Sequence, residues 1–207
     1  MNDFSPIYTI LIGAVEQYDD AANIVFSLRL KRVGRRSSSP LAVYEYEAGQ
    51  KPKSFLRLDL AQLIAEVIEE FKPLASAKGL TIDWEQHLSP VWVIGDRLQL
   101  RRVFVNLISN AIKFTDSGSI GVSCRLSDSS QFVEVLVQDT GIGIDEEYLS
   151  DLFQPFQRGN HSCLGTGLGL YLSKQIVEAH QGYIEVKSEL GKGCFIKVVL
   201  PSGVSSY

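Results

Sequence analysis

From residue 54 onward the sequence delivers strand patterns with long helical patterns set between them, and this order restricts the fold more than any other feature. Residues 54 to 58 are strand-like, and Asp59 then caps a helix whose apolar positions Leu60, Leu63, Ile64, Val67, Ile68 and Phe71 recur at helical spacing until Gly79 stops it. Two strand candidates, 80 to 85 and 91 to 94, precede a strongly periodic helix over about 97 to 114. Residues 119 to 126 and 132 to 138 alternate as paired strands around a Ser-Asp-Ser-Ser turn. After Gly141 the chain reads as loop until a helix opens near Gly169 and runs to His180. Residues 183 to 188 and 194 to 200 then form a hairpin turning at Gly191-Lys192-Gly193. Strands arriving in adjacent pairs between helices predict a two-layer α/β sandwich, a mixed sheet covered by helices on one face, and not a doubly wound parallel fold.

Upstream, Leu11, Ala14, Tyr18, Ala21, Val25 and Leu28 alternate spacings of three and four, one helical face under three heptads long. That face suits a partner helix, a homodimer included, or an intramolecular neighbour equally. The basic run from Arg29 to Arg36 leads into Ser37-Ser38-Ser39-Pro40, where a short helix starts that Gly49 stops. A run this short reads as a solvated helix end, and the remainder of the chain is acidic: residues 59 to 207 carry 12 basic against 18 acidic side chains within a net charge of −4. Binding of nucleic acid by bulk charge is therefore not expected. The longest apolar run, 7 to 15, is broken by Thr9 and Gly13 and falls well short of the ~20 residues a membrane span needs. Cys124, Cys163 and Cys194 are odd in number and far apart, which predicts neither a disulfide framework nor a zinc site and makes a reducing, cytoplasmic setting the expectation.

Three motifs carry chemistry. In Asn106-Leu-Ile-Ser-Asn110-Ala-Ile-Lys113-Phe114 the two amides share one side of a helix, and Lys113 lies a turn further along it. Such a stripe is either solvated or a ligand site, where an Asn oxygen suits Mg²⁺ and an ammonium suits phosphate. Asp139-Thr-Gly141-Ile-Gly143-Ile144 ends a strand in a carboxylate able to accept from an exocyclic amine such as adenine N6, followed by glycines that permit close approach; as an isolated pattern it is also an ordinary turn. Gly165-Thr166-Gly167-Leu168-Gly169-Leu170 opens a helix, so that backbone N–H groups and the positive helix end offer an anion site, or else a flexible loop. A Walker A loop is absent, and the glycine spacing departs from the dinucleotide fingerprint.

Together and in this order, the motifs resemble the Bergerat-type (GHKL, HATPase_c) ATP-binding domain, specifically the catalytic domain of two-component sensor histidine kinases. NLISNAIKF is similar to the N box, DTGIGI to the G1 box, Phe153-Gln-Pro-Phe156-Gln-Arg158 to the F box and GTGLGL to the G2 box. The resemblance spans residues 54 to 201, leaving 1 to 53 as a helical lead-in or divergent dimerisation helix and 202 to 207 as a tail. It implies that Asn110 holds Mg²⁺ with Asn106 nearby, that Lys113 contacts phosphate, and that these three are the catalytic set. It implies further that Phe114 lies against the nucleotide, that Asp139 reads adenine, and that Gly141 and Gly143, with Ile144, admit the ring. Gly165, Thr166, Gly167, Leu168 and Gly169 would surround the phosphates, and Arg158 would belong to a short lid. The implied partners are ATP, a dimerisation and phosphoacceptor domain, and a response regulator receiver domain.

Cys194 stands where the family often has Ser or Thr. None of His87, His161 and His180 sits on a helical dimer face beside an acid, so the phosphoacceptor is expected outside these residues, either because they are a fragment of a longer kinase or because the acceptor is on another polypeptide. Two other readings remain: a regulatory protein using nucleotide as a switch, or another GHKL enzyme such as an anti-sigma serine kinase. Related ATPases of the superfamily usually place Glu where Asn106 stands, as a base for water, so Asn106 favours transfer over hydrolysis.

Overall fold

The computed structural model describes residues 55–85, 90–156 and 167–203. In chain order the elements are β1 (Leu56–Asp59), α1 (Leu60–Ala77), β2 (Thr81–Glu85), β3 (Trp92–Gly95), α2 (Arg97–Phe114), β4 (Ser119–Leu126), β5 (Phe132–Asp139), α3 (Glu146–Leu149), α4 (Gly169–Ala179), β6 (Tyr183–Glu189) and β7 (Gly193–Pro201). The readings placed on residues 1–54, including the lead-in helix and the segment from Pro40 to Gly49, lie outside the described residues.

Both long helices start from an aspartate. Asp59 Oδ1 accepts from the backbone N–H of Ala61 at 3.1 Å and Asp96 Oδ1 from that of Leu98 at 3.0 Å, satisfying groups that a helix start otherwise leaves open. The apolar face of α1 runs through Leu63, Ile64, Val67, Ile68 and Phe71, and that of α2 through Leu100, Val103, Phe104, Leu107 and Ile108; all ten are buried. Helix α2 packs against both α1 and α4. Arg97 pairs with Glu66 and Arg101 with Glu70 along the exposed α1–α2 seam.

Beneath the helices lies a five-stranded sheet in the order β2-β4-β5-β7-β6, parallel between β2 and β4 and antiparallel elsewhere. Ile120, Val122 and Cys124 of β4 and Val133, Val135 and Val137 of β5 are buried against the helical layer. The alternate residues, among them Arg125 and Glu134, form the other face, where Glu134 accepts from both Arg125 and Lys197. This is the mixed-sheet, two-layer sandwich expected.

Two details differ from the sequence reading. Strands β2 and β3, adjacent in the chain, do not pair; β3 pairs instead with β1 as a separate two-stranded sheet. Each of β1 and β3 leads through an Asp cap into a long helix, and because those helices pack together their lead-in strands are brought side by side. Asp59 Oδ1 accepts from the N–H of Val91 at 3.1 Å, and Leu60 donates to the carbonyl of Val91 at 2.8 Å. The second difference is α3, a single turn capped by Asp145 within the stretch read as loop.

Candidate functional site

The carboxylate end of the site is built from strand register. Asp139 is the last residue of β5 and lies on the inward row after Val133, Val135 and Val137, which leaves it 8% exposed. Its Oδ1 accepts from the backbone N–H of Gly141 at 2.9 Å and of Cys194 at 3.3 Å. Oδ2 has no hydrogen-bond partner among the described residues. Burial pushes the carboxyl above its usual range, only partly offset by those two N–H groups. A carboxylate held by one oxygen and open at the other is an acceptor waiting for a donor.

The turn after Asp139 is clamped on two sides. Ile142 N–H donates to the carbonyl of Phe114, the last residue of α2, at 3.1 Å, which joins the amide-bearing helix to the carboxylate turn. On the far side Gly191 N–H donates to the carbonyl of Ile142 at 2.7 Å and Ile144 N–H donates to Ser188 Oγ at 2.8 Å. Both glycines of this turn are required by the backbone packed against it. A Cβ on Gly141 would run into the Phe114 carbonyl, and one on Gly143, whose φ is +69°, into the carbonyl of Glu189. What their missing side chains admit is protein backbone.

At the amide end, Asn110 Nδ2 donates to Asn106 Oδ1 at 3.4 Å and Asn106 Nδ2 donates to Ser173 Oγ of α4 at 3.0 Å. Asn110 Oδ1 is left with no donor among the described residues. Gly169, the first residue of α4, lies so close to Asn106 that a Cβ there would collide with its side-chain oxygen. The start of α4 has no side-chain cap, since Leu168 occupies the N-cap position. Lys113 stands with its Nζ 5.3 Å from the centre of the Phe114 ring. Phe156, of the stretch 153 to 158, donates its N–H to the carbonyl of Gly167 at 3.0 Å. Asn106, Asn110, Gly169, Lys113, Phe114, Asp139, Gly141, Gly143 and Ile144 are thus linked through α2 and its contacts. Arg158, Gly165 and Thr166 lie outside the described residues, as do His87 and His161.

Sequence reasoning missed three supports. Lys78 Nζ donates to the carbonyls of Ile112 and Lys113 at 2.9 and 3.0 Å, closing the C terminus of α2, and nothing in the sequence announces it. Ser173 ties α4 to the amide pair and was visible only as a hydroxyl on an apolar helix face. Ser188, on the inward row of β6 after Ile184 and Val186, holds the Ile144 turn.

The third histidine is accounted for. His180 is buried, its Nε2 accepting from the Asp96 N–H at 3.0 Å, so Nδ1 carries the proton donated to the Ile176 carbonyl at 2.7 Å. Burial holds it below the usual histidine range, and the imidazole is a neutral brace between the start of α2 and the end of α4. Among the described residues no group of three or more His, Cys, Asp or Glu could hold a metal by itself, and no helix is long and apolar enough to cross a membrane. A divalent cation here would rest on Asn110 Oδ1 and on the phosphates of a ligand, a division that suits Mg²⁺, which binds through few protein oxygens.

Known proteins resemble this chain in sequence and in fold. The chain is 36% identical over 165 residues to the sensor protein GacS of Pseudomonas syringae, covering 75% of this chain and 18% of that protein. It is 32% identical over 149 residues to the autoinducer 2 sensor kinase/phosphatase LuxQ of Vibrio cholerae, covering 69% and 17%. The chain therefore spans less than a fifth of either relative. Among solved structures, the mycobacterial sensor histidine kinase MprB matches 71% of this chain and 98% of its own at 28% identity and a TM-score of 0.64. Full-length ShkA in complex with AMPPNP matches 80% and 35% at 26% identity and a TM-score of 0.69. Residues 95–204 match the family described as histidine kinase-, DNA gyrase B-, and HSP90-like ATPase. The chain belongs to that family, and its ATP-binding domain is of the sensor histidine kinase kind.

Proposed function

We propose that this domain binds ATP with Mg²⁺ between α2, the 139–144 turn and the start of α4, and transfers the γ-phosphate to a histidine on a separate dimerisation and phosphoacceptor domain. A response regulator receiver domain would then take the phosphoryl group, and the cytoplasm, where ATP is supplied, would be its setting. The catalytic unit in this reading is residues 54 to 201, with 1 to 53 as the lead-in through which a homodimer would form. The observation that carries the reading is Asp139: buried, fixed by two backbone donors through one oxygen, and open at the other, as recognition of an adenine amine requires.

The phosphate roles follow from groups left open. Asn110 Oδ1 would hold the cation, with Asn106 and Ser173 fixing the amide's orientation. The uncapped start of α4, with Gly167, Leu168 and Gly169, would offer N–H groups to phosphate oxygens, with Gly165 and Thr166 beside them and Arg158 in the lid. Lys113 would meet the phosphates as a point charge. Bound Mg²⁺ would supply charge neutralisation on the transferring group, and positioning would be the protein's larger share. Asn106, an amide, cannot deprotonate water, which supports transfer over hydrolysis.

The deciding experiment gives the chain labelled ATP alone and then with the dimerisation domain of a sensor histidine kinase. Acid-labile phosphate is expected on the added domain and not on this chain. Silence in both, with a thermal midpoint still raised by Mg·ATP, would favour a nucleotide-dependent switch; a midpoint unmoved by Mg·ATP would remove the nucleotide reading.

A further inference from the structure

The inward row of the β6–β7 hairpin pairs Ile184 with Val198, then Val186 with Ile196, and then Ser188 with Cys194. In the neighbouring register Cys194 pairs with Asp139. Asp139, Cys194 and Ser188 are therefore one rung across three adjacent strands, the rung at which the apolar row turns polar. Burial and the charge of Asp139 push the Cys194 thiol up to about 11, so the middle of the rung stays uncharged and the serine hydroxyl carries the polar work.

Ser188 Oγ donates to the carbonyl of Gly193 at 2.7 Å and accepts from the N–H of Ile144 at 2.8 Å. It thus ties the backbone just before Cys194, whose own N–H bonds Asp139, to the far end of the turn that begins at Asp139. Two hollows, of about 480 and 290 Å³, both include Ser188; the first reaches Ile144 and Leu149, the second Asp139 and Cys194.

From this geometry we infer that Ser188 is a positioning residue for base recognition: its hydroxyl sets the distance between the Asp139 carboxylate and the Ile144 edge of the turn, and so selects adenine. The inference rests on the nucleotide reading above, and it assigns discrimination between bases to a residue that touches no base. Losing the hydroxyl leaves the Ile144 N–H and the Gly193 carbonyl without their shared partner. The turn can then drift from the carboxylate while Asn106 stays tied to α4 through Ser173 and the end of α2 stays closed by Lys78.

The test uses the full chain with Ser188→Ala and Ser188→Thr, measuring binding of ATP and of GTP, each with Mg²⁺, by competition against a fluorescent ATP analogue. Ser188→Ala is expected to weaken ATP about tenfold, the equivalent of one hydrogen bond, and to leave the weaker GTP unchanged, so that selectivity falls about tenfold. Ser188→Thr, which keeps the hydroxyl, should recover ATP affinity to within about threefold. Equal losses for the two nucleotides, or an unchanged ATP affinity, would overturn the inference. Wild-type protein that binds neither nucleotide would instead overturn the reading on which it rests.

Discussion

The two ends of the site are built on opposite plans. At the carboxylate end hydrogen bonds already run within the protein: Asp139 is held by Gly141 and Cys194, Ile142 by Phe114 and Gly191, Ile144 by Ser188. At the amide end two groups are left uncommitted among the described residues: Asn110 Oδ1 has no donor, and α4 starts without a side-chain cap. The difference teaches where binding energy must come from. A base is rigid and can be met by a finished surface, whereas a triphosphate with its cation brings its own charge and needs donors left uncommitted.

The largest effect should come from removing the charge at the finished end. Asp139→Asn keeps an oxygen for Gly141 and Cys194 and loses the carboxylate that a base amine would meet, so ATP affinity should fall by at least about a hundredfold, the scale of a charged hydrogen bond. Stability should move the other way. Because burial raises this carboxyl's native pKa, its ionised form is disfavoured by folding at neutral pH, and that penalty fades as pH falls and the native group takes up a proton. The variant without ligand should therefore melt at or above the wild-type temperature, a combination expected of functional residues. A lowered melting temperature with ATP binding retained would mean that Asp139 is structural.

Next in size, Gly141→Ala presses a methyl against the Phe114 carbonyl, a backbone atom that cannot swing aside. Overpacking of this kind should cost about 2 kcal/mol of stability, read from denaturant midpoints. Asn110→Ala should be gentler and selective, weakening ATP about tenfold with Mg²⁺ present and by under about threefold in a chelator. An equal loss under both conditions would deny Asn110 the cation and make it a structural neighbour of Asn106.

How much of this was legible differs by scale. Helices α1 and α2 could be read almost to their ends because apolar period and aspartate cap agree, β4 to β6 because each alternates, and β7 because the glycine turn at 191–193 sets it against β6. The partner of β3 could not be read, since it depends on which helices pack together, a contact absent from any local window. Helix α3 is one turn long with no buried residue, too short to show a period, although Asp145 followed by Glu146 and Glu147 carries the signature of a helix start. The motif residues themselves stood out as side chains. Their supports did not, because Gly141 is defined by a carbonyl it must clear and Ser188 by a backbone N–H it must reach, and both partners are backbone atoms that any sequence would supply.

The smallest expected effect concerns the brace between the start of α2 and the end of α4. His180 joins the Asp96 N–H at the start of α2 to the Ile176 carbonyl near the end of α4 as a neutral ring, and a protonated ring would lose its acceptor at Nε2. Its native pKa is lowered from 6.5, so below about that pH the unfolded chain takes up a proton that the native ring refuses. The stability it lends is complete above that range and declines as pH falls, levelling once the native ring also titrates. In His180→Gln this part of the acid sensitivity disappears, so the melting-temperature gap between wild type and variant should narrow between pH 7.5 and 5.5 by a few degrees at most. Nucleotide affinity at pH 7.5 should change little, because the ring's partners, the Asp96 N–H and the Ile176 carbonyl, are not among the open groups. A gap that stays constant across this range would show that the ring titrates alike in the folded and unfolded states and lends no pH-dependent stability.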